Sequence, residues 1–379
     1  MLRAGFLILW LCSLAFYAIS YYCLSRFLRR KSTVSPDYIF PAVTLLKPVK
    51  GADSYTLDNL ETFVAQDYHG PLQVIFGLAS GDDPARPMIE SIIKSYPGRD
   101  IRLVISPVVH GPNLKVSNLI NMYADAGHDI IIIADSDMKA GPGYISAVAE
   151  EFVDPSVGLV TCPYRGSYPQ SIGAGFEALT INADFLPSVA VAERLEGVSF
   201  ALGATMAVRR EALEKIGGLK VLADLLADDY QLGNRVFRAG YRLVLSRYVL
   251  DSVLGNEGFA GYFSHQLRWA RTYRVCRPAG YFMSVLTNGT AFSLMFLAAS
   301  GFSDIGWAVA CANLALRYAQ AVALEMKYTN GVRVLKYYWL LPVRDVLSFV
   351  IWALSFTGNT VVWGGTKYKI DREGRMIVK

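Results

Sequence analysis

Polar and apolar positions fall into three regimes along the chain. Residues 5–24 carry no charge, and about twenty apolar residues suffice for a helix that crosses a bilayer. From residue 41 to about residue 260 the pattern turns globular. Short β-branched runs at 43–47, 73–79, 101–106, 129–134 and 157–161 alternate with helix-spaced segments such as 55–64. Ile130 to Ile133 are four consecutive isoleucines. With no polar residue at every second position, that run reads as a central strand covered on both faces. Strands separated by helices predict an α/β domain with a mostly parallel sheet and helices on both sides. Further on, 203–209 reads as a strand leading into a helix at 210–216, stopped by Gly217-Gly218, and another helix starts at Asp228. After Pro278 the chain is apolar again over 283–302, 307–325 and 346–363; the first two predict a helical hairpin in the bilayer.

Right-handed crossovers carry the ends of parallel strands to one edge of the sheet, where ligands of open α/β sheets bind. Asp82 and Asp83 follow the second strand, and Asp135 and Asp137 follow the isoleucine run. An Asp-x-Asp pair there can hold a divalent cation between protein oxygens and a substrate diphosphate; magnesium is usually held by one or two carboxylates plus phosphate oxygens. Carboxylates at strand ends also serve as turn formers and helix N-caps, and Asp228 and Asp229 at a helix start are favoured by its dipole.

Composition adds the membrane. Hydrophobic residues make up 53% of the chain and charged ones 18%, with a mean hydropathy of +0.30. The net charge is +5. Its basic residues lie beside apolar runs: Arg26, Arg29, Arg30 and Lys31 after the first, Arg268, Arg271, Arg274 and Arg277 before the second, and Lys367, Lys369, Arg372, Arg375 and Lys379 in the tail. Anionic headgroups explain that placement better than nucleic acid does. The cluster of charge directly after the first apolar run predicts a retained anchor with its C-terminal side in the cytoplasm. Three C-terminal crossings would then put the basic tail outside, so one segment is expected to be re-entrant or interfacial, with Thr357-Gly358-Asn359 as the turning point. Arg317 should face protein. The five cysteines form no Cys-x-x-Cys pair, which predicts a reducing compartment without disulfides or zinc. The expected division is an anchor (1–31), an α/β domain (41–278), and membrane segments with a basic tail (279–379).

Five blocks then stand in order over residues 41–277. They are Leu46-Lys47-Pro48-Val49-Lys50-Gly51; Asp82-Asp83-Pro84-Ala85; Lys115-Val116-Ser117-Asn118-Leu119 ahead of Asp135-Ser136-Asp137; Ala227-Asp228-Asp229-Tyr230; and Gln266-Leu267-Arg268-Trp269. The set resembles membrane-bound glycosyltransferases of the GT-A, family-2 kind, most closely the ceramide glucosyltransferase group. Asp228 stands where glutamate is common in related enzymes. Stretches such as Gly175-Phe176-Glu177-Ala178-Leu179 resemble the bacterial branch associated with hopanoid biosynthesis.

The resemblance implies a GT-A, Rossmann-like domain flanked by transmembrane or interfacial helices, in a bacterial cytoplasmic membrane and facing the cytoplasm. It implies inverting transfer of glucose or N-acetylglucosamine from a UDP-sugar to a hydroxyl of a membrane lipid, a hopanoid such as bacteriohopanetetrol or a ceramide. A lipid hydroxyl needs a base within hydrogen-bond reach, and Asp229 fits that role. Mg2+ or Mn2+ at Asp135 and Asp137 would offset charge on the leaving diphosphate. Lys47, Pro48, Asp82, Asp83, Lys115 and Asp135 would contact the donor, with Asp82 or Asp83 on the uracil ring. Asp228, Gln266, Arg268 and Trp269 would contact acceptor or phosphate, Arg268 through its planar fork. One base opposite the leaving group implies inversion, in analogy with inverting hydrolysis. Two other readings stay open: a processive polysaccharide synthase of the same superfamily, and a non-catalytic membrane protein that binds nucleotide sugar.

Overall fold

The computed structural model describes residues 1–29, 39–329 and 332–378. Arg30, Lys31 and Lys379 of the basic runs lie outside them. In chain order the strands are β1 (Val43–Pro48), β2 (Leu72–Leu78), β3 (Asp100–Ile105), β4 (Ile130–Ile133), β5 (Met138–Lys139), β6 (Val157–Thr161), β7 (Tyr164–Ser167), β8 (Met206–Arg209), β9 (Arg242–Leu245), β10 (Leu250–Val253), β11 (Thr360–Trp363), β12 (Thr366–Ile370) and β13 (Met376–Val378). Seven of them form one sheet in the order β3-β2-β1-β4-β8-β6-β9. β3, β2, β1 and β4 run parallel; β8 is antiparallel to both β4 and β6, and β9 is parallel to β6.

Every residue of β1, β4 and β6 is buried. Successive side chains of a strand point to opposite faces. Leu45, Ile130 and Ile132 therefore join Phe63, Phe76 and Tyr144 in one core, while Leu46, Ile131 and Ile133 join Val116, Leu119 and Leu232 in the other. Both faces of β4 are covered, which is why its apolar run has no alternation. The chain leaves β4 at Ala134 and enters β5, the edge of a second sheet ordered β5-β10-β7. The Val253 N–H donates to the Asp137 carbonyl at 2.9 Å, so the turn at residues 135–137 is fixed between the two sheets.

The first helix, Leu2–Leu28, has 27 residues and packs along the helices Leu186–Glu196, Gly289–Ala299 and Asp304–Leu324. By length and composition the described residues hold two helices able to cross a membrane, Leu2–Leu28 and Tyr338–Ser355, or three if the pair Pro278–Thr287 and Gly289–Ala299, bent by 60°, counts as one. The run 283–302 is thus a broken element rather than one straight helix. Arg317, only 2% exposed, faces protein: it pairs with Asp184 at 2.7 Å and Asp345 at 3.0 Å. Arg344 pairs with Asp345 at 2.9 Å and also with Asp184.

The apolar run 346–363 is not one span. The helix Leu341–Ser355 ends before Gly358-Asn359, and β11 starts at Thr360. Hydropathy does not separate the strand Thr360-Val361-Val362-Trp363 from the end of a helix, whereas Gly and Asn mark the break. β11, β12 and β13 form an antiparallel sheet. Its inner face, Val361, Tyr368, Ile370 and Met376, closes on Leu226 with Val275 alongside. Leu226 N–H donates to Gly374 O at 3.1 Å, and Met376 N–H to Asp224 O at 2.8 Å. The basic tail is therefore docked on the α/β part. Any crossings between Arg277 and Thr360 are then even in number, in keeping with the expectation that one of the three C-terminal apolar segments does not cross, with the chain breaking between Ser355 and Thr360.

The run Arg268 to Arg277 needs a correction too. Arg271 donates to Thr360 O, Arg274 to Gly358 O at 3.0 Å and to Asn359, and Arg277 pairs with Glu196. These guanidiniums bind the protein itself, so they are not the free basic face expected for lipid.

Candidate active site

Loops from distant parts of the chain meet beyond the ends of β1 and β4. The turn between β4 and β5 carries Asp135 and Asp137. Lys115 stands in the first turn of the helix Leu114–Tyr123, which Asn113 caps by accepting from Val116 N–H at 3.0 Å. The Asn113 amide also donates to Leu225 O at 2.8 Å and reaches Asp228 at 3.4 Å. One side chain thus ties the Lys115 helix to the loop that delivers Asp228 and Asp229. Lys115 Nζ lies 2.6 Å from Asp135 Oδ1 and 3.2 Å from Asp228 Oδ2. Burial works against its charge, but Asp135 and Asp228 outweigh that and hold the ammonium well above its usual range.

Asp228 and Asp229 begin the helix Asp228–Arg238. Asp229 accepts from Gly203 N–H at 3.0 Å through Oδ2 and from Tyr230 N–H at 2.7 Å through Oδ1. Gly203 marks where the groups converge. A Cβ there would stand 3.0 Å from Asp135 Oδ2, 3.4 Å from Asp229 Oδ2 and 3.9 Å from Lys115 Nζ. Two carboxylates and an ammonium therefore border one space that a side chain at 203 would fill.

Crowding sets the protonation of these groups. Burial first, then Asp228, raises Asp229 to about 6, against Lys115 and the Tyr230 N–H. Asp137 is exposed at its surface but closely packed by protein atoms; that desolvation first, then Asp135, raises it to about 6, against Lys47. Lys47 is fully buried; its ammonium sits 3.3 Å over the Phe63 ring and donates to the Asp135 carbonyl at 2.5 Å. Burial pulls it down to about 7 despite Asp137 and Asp135.

Among the described residues no group of three or more His, Cys, Asp or Glu side chains is placed to hold a metal. Asp135 and Asp137 supply two carboxylates, crowded enough that one of them resists ionisation. That donor set fits a divalent cation that takes the rest of its shell from water and phosphate oxygens.

The Gln-x-x-Arg-Trp block lies on the helix Phe259–Cys276. Gln266 Nε2 donates to both carboxylate oxygens of Glu177 at 3.0 Å, and His265 Nδ1 is 3.1 Å from Glu177 Oε1. The His265 ring meets Trp269 edge-on at 4.5 Å, and Trp269 lies 6.0 Å from Phe185. The Arg268 carbonyl accepts from the Thr272 hydroxyl at 2.8 Å, but its guanidinium has no hydrogen bond or ion pair among the described residues. Burial lowers its pKa, while Glu177 and Asp229 raise it.

The structure brings together Lys115, Asp135, Asp137, Asp228 and Asp229, with Arg268 within their field. Several of the predicted residues meet protein partners instead of the shared space. Lys47 is buried beneath the Asp-x-Asp turn, and Pro48 is buried where β1 meets Gly77 of β2. Asp228 is buried against Lys115 and Asn113, and the Gln266 amide is taken by Glu177. Asp83 accepts from Gly51 N–H at 3.1 and 3.0 Å and from Ala85 N–H at 2.9 Å, fastening the loop after β1 to the loop after β2. Asp82 beside it is exposed. Sequence reasoning missed Asn113, Gly203, His265 and, as a site residue, Glu177. Only Glu177 carried a signal, as the one charge in the apolar helix Ile172–Thr180.

Residues 6–376 match the family model described as Glycosyl transferase family 21. Ceramide glucosyltransferase 1 of Caenorhabditis elegans is 22% identical over 354 residues, spanning 90% of this chain and 74% of its own. Ceramide glucosyltransferase of Pyricularia oryzae is 23% identical over 419 residues, spanning 87% and 84%. The solved mannosyltransferase PcManGT from Pyrobaculum calidifontis, in complex with GDP-Man and Mn2+, has a TM-score of 0.55 at 20% identity, over 93% of this chain and 98% of that one. The likeness is one of fold, the mixed sheet of a GT-A domain with apolar helices at both ends. Because the family match runs almost from end to end and the site lies where such a sheet binds ligands, this chain belongs to glycosyl transferase family 21 and is a membrane-associated glycosyltransferase.

Proposed function

We propose that this enzyme moves a hexose or N-acetylhexosamine, glucose or N-acetylglucosamine, from a UDP-sugar to a hydroxyl of a membrane lipid, with inversion at the anomeric carbon. The acceptor we favour is a hopanoid polyol such as bacteriohopanetetrol, or a ceramide. One observation carries the reading: Asp229 and Asp135 border a single space beside Gly203, with Lys115 at its edge. A base and a diphosphate-facing carboxylate are needed on the two sides of one reacting carbon.

In this reading Asp229 takes the proton of the lipid hydroxyl at Oδ2, the oxygen facing that space. Gly203 N–H and Tyr230 N–H hold its carboxylate in place. Lys115 and Arg268 bind the diphosphate of the donor, and Arg268 has its whole guanidinium to give. Mg2+ or Mn2+, held by Asp135 and Asp137, would supply Lewis-acid relief of the charge on the leaving diphosphate. Lys47 keeps the Asp135 carbonyl in position from below, and Asp228 orients Lys115. Asp82, exposed beside the fastened Asp83, is placed to accept from the base of the nucleotide. Glu177 braces the helix that carries Arg268, and Trp269 walls the acceptor side.

The division we favour is an anchor at 1–31, a catalytic part at 41–278 on the cytoplasmic side of a bacterial inner membrane, and membrane-facing helices after 279. A lipid acceptor is insoluble, so a site held at the bilayer surface meets it laterally.

The test uses the purified full chain in lipid nanodiscs. It is offered UDP-glucose or UDP-N-acetylglucosamine with bacteriohopanetetrol or ceramide, and products are read by mass spectrometry and NMR. One sugar per lipid, with the anomeric configuration opposite to the donor's, is the expected product. A polymer, a retained configuration, or no transfer from either donor overturns the proposal.

A further inference from the structure

We propose that the outer face of the C-terminal sheet β11–β13 is a docking surface for an anionic bilayer. The inference rests on the membrane association of the enzyme, not on its donor or acceptor.

The register defines the face. Thr360, Lys369 and Ile377 stand in one row across the three strands, and Val362 and Lys367 stand opposite each other in the next. Because side chains alternate along a strand, these five share the side away from the core made by Val361, Tyr368, Ile370 and Met376. Val362 is 45% exposed and Ile377 52%; Lys367 and Lys369 are exposed too. Among the described residues neither lysine has an ion-pair partner.

A lysine on an edge strand has an ordinary purpose, which is to discourage edge-to-edge pairing. That purpose does not apply here, because both lysines are on β12, the middle strand. A solvated face would not need bare valine and isoleucine beside them. A lipid surface suits both kinds of side chain: apolar groups enter the headgroup layer, while lysines reach phosphates with their heads and cover apolar surface with their stems.

Chain length sets the level of the sheet. Only the four residues 356–359 separate Ser355, the last residue of a helix, from Thr360, and five residue steps span at most about 18 Å. The helix carries an exposed apolar stripe, Trp339 in the preceding turn, then Val343, Val346, Val350 and Leu354, at the spacing of one helical face. At its end Trp352 packs on Phe356 at 5.0 Å, and its indole N–H donates to Tyr281 O at 3.2 Å. Aromatic clusters of this kind mark bilayer interfaces, and the sheet emerges directly from this one. Its seating bears on the active site, because Gly374 and Met376 hold Leu226 and Asp224, two and four residues before Asp228.

The test places an environment-sensitive fluorophore on Val362→Cys in the full chain, with the exposed Cys12 and Cys311 changed to serine. A control label goes on exposed Lys94→Cys, on the helix Arg86–Ser95 of the α/β part. Both proteins are put into nanodiscs of phosphatidylcholine, with or without phosphatidylglycerol, containing lipids that bear a headgroup nitroxide quencher. We expect the label at 362 to be quenched several-fold more than that at 94, and more strongly when phosphatidylglycerol is present. Lys367→Glu combined with Lys369→Glu should bring that quenching down to its value in neutral discs. Equal, weak quenching at 362 and 94 overturns the proposal, as does protection of 362 only in discs that hold two copies of the chain. The readout needs no turnover, so an error in the assigned donor or acceptor does not affect it.

Discussion

Replacing Asp229 by asparagine separates the chemistry of the proposed base from its structural role. The amide keeps the shape of the carboxylate, but it can accept from only one of the two backbone N–H groups, Gly203 and Tyr230. Losing one bond to a charged acceptor costs about 1.5–3 kcal/mol. Against that, the wild-type carboxylate is strained by burial and by Asp228, with Asp135 also unfavourable and Lys115 only partly compensating, so its pKa stands at about 6 instead of 3.8. Two pKa units correspond to about 3 kcal/mol of destabilisation. The raised pKa means that the folded state binds the proton more tightly than the unfolded one. The strain is therefore full above pH 6, fades as pH falls through 6, and is gone below 3.8. That raised pKa already includes the Tyr230 bond, so the neutral amide should melt no lower than wild type at neutral pH and lose that advantage in acid. Activity behaves differently. A positioned general base contributes about 10²–10⁴-fold, so kcat should fall by that factor while UDP binding is unchanged. With Mn2+ saturating, to keep Asp137 ionised, wild-type kcat/KM should drop tenfold per pH unit below about 6, and Asp229→Asn should lack that limb. A variant that keeps a tenth or more of wild-type turnover, or the same acid limb, refutes the assignment of the base.

Three further outcomes follow from other groups. Asp137→Ala, like chelation of divalent cations, should abolish transfer and weaken UDP binding measured by calorimetry; unchanged binding on both counts argues against a cation at the Asp-x-Asp turn. Gly203→Ala puts a methyl carbon 3.0 Å from Asp135 Oδ2 and 3.4 Å from Asp229 Oδ2. A displacement of that scale should lower kcat by up to about 100-fold, with little change in thermal stability. Asp345→Ala leaves the buried Arg317 and Arg344 with only Asp184 between them, and removing one partner of such a network costs about 3–5 kcal/mol, read as a lower melting temperature in detergent.

Much of the fold was visible in the sequence because its signals are local. The isoleucine run had to be covered on both faces, and β1, β2, β3 and β6 followed from short β-branched segments at regular spacing. The direction of β8 was not visible. Met206 to Arg209 has the composition of a strand, but nothing local says whether it runs with β4 or against it; that is set by how residues 162–205 return, through the small sheet and the helix pair Ile172–Thr180 and Leu186–Glu196. β11 was hidden for a different reason. It follows an apolar helix after a break of four residues, and its own valines and tryptophan extend the apolar count without extending the helix.

The site divides along the same line. Asp135, Asp137, Asp228 and Asp229 could be picked out because carboxylates where an apolar strand ends or a helix begins break a local pattern. Asn113, Gly203 and Glu177 act through partners 112, 26 and 89 positions away. An asparagine before a helix looks like any other N-cap, and a glycine in a loop looks like any other turn. Their meaning arises only once folding has put Leu225, Asp229 and Gln266 beside them. The residues most open to sequence reading are therefore those proposed to touch the substrates, whereas those that hold the first group in register are silent until the chain is folded. This is why Lys47, read as a donor contact, turns out to lie underneath: at the end of a strand buried on both faces, its ammonium has only the Asp135 carbonyl and the Phe63 ring to meet.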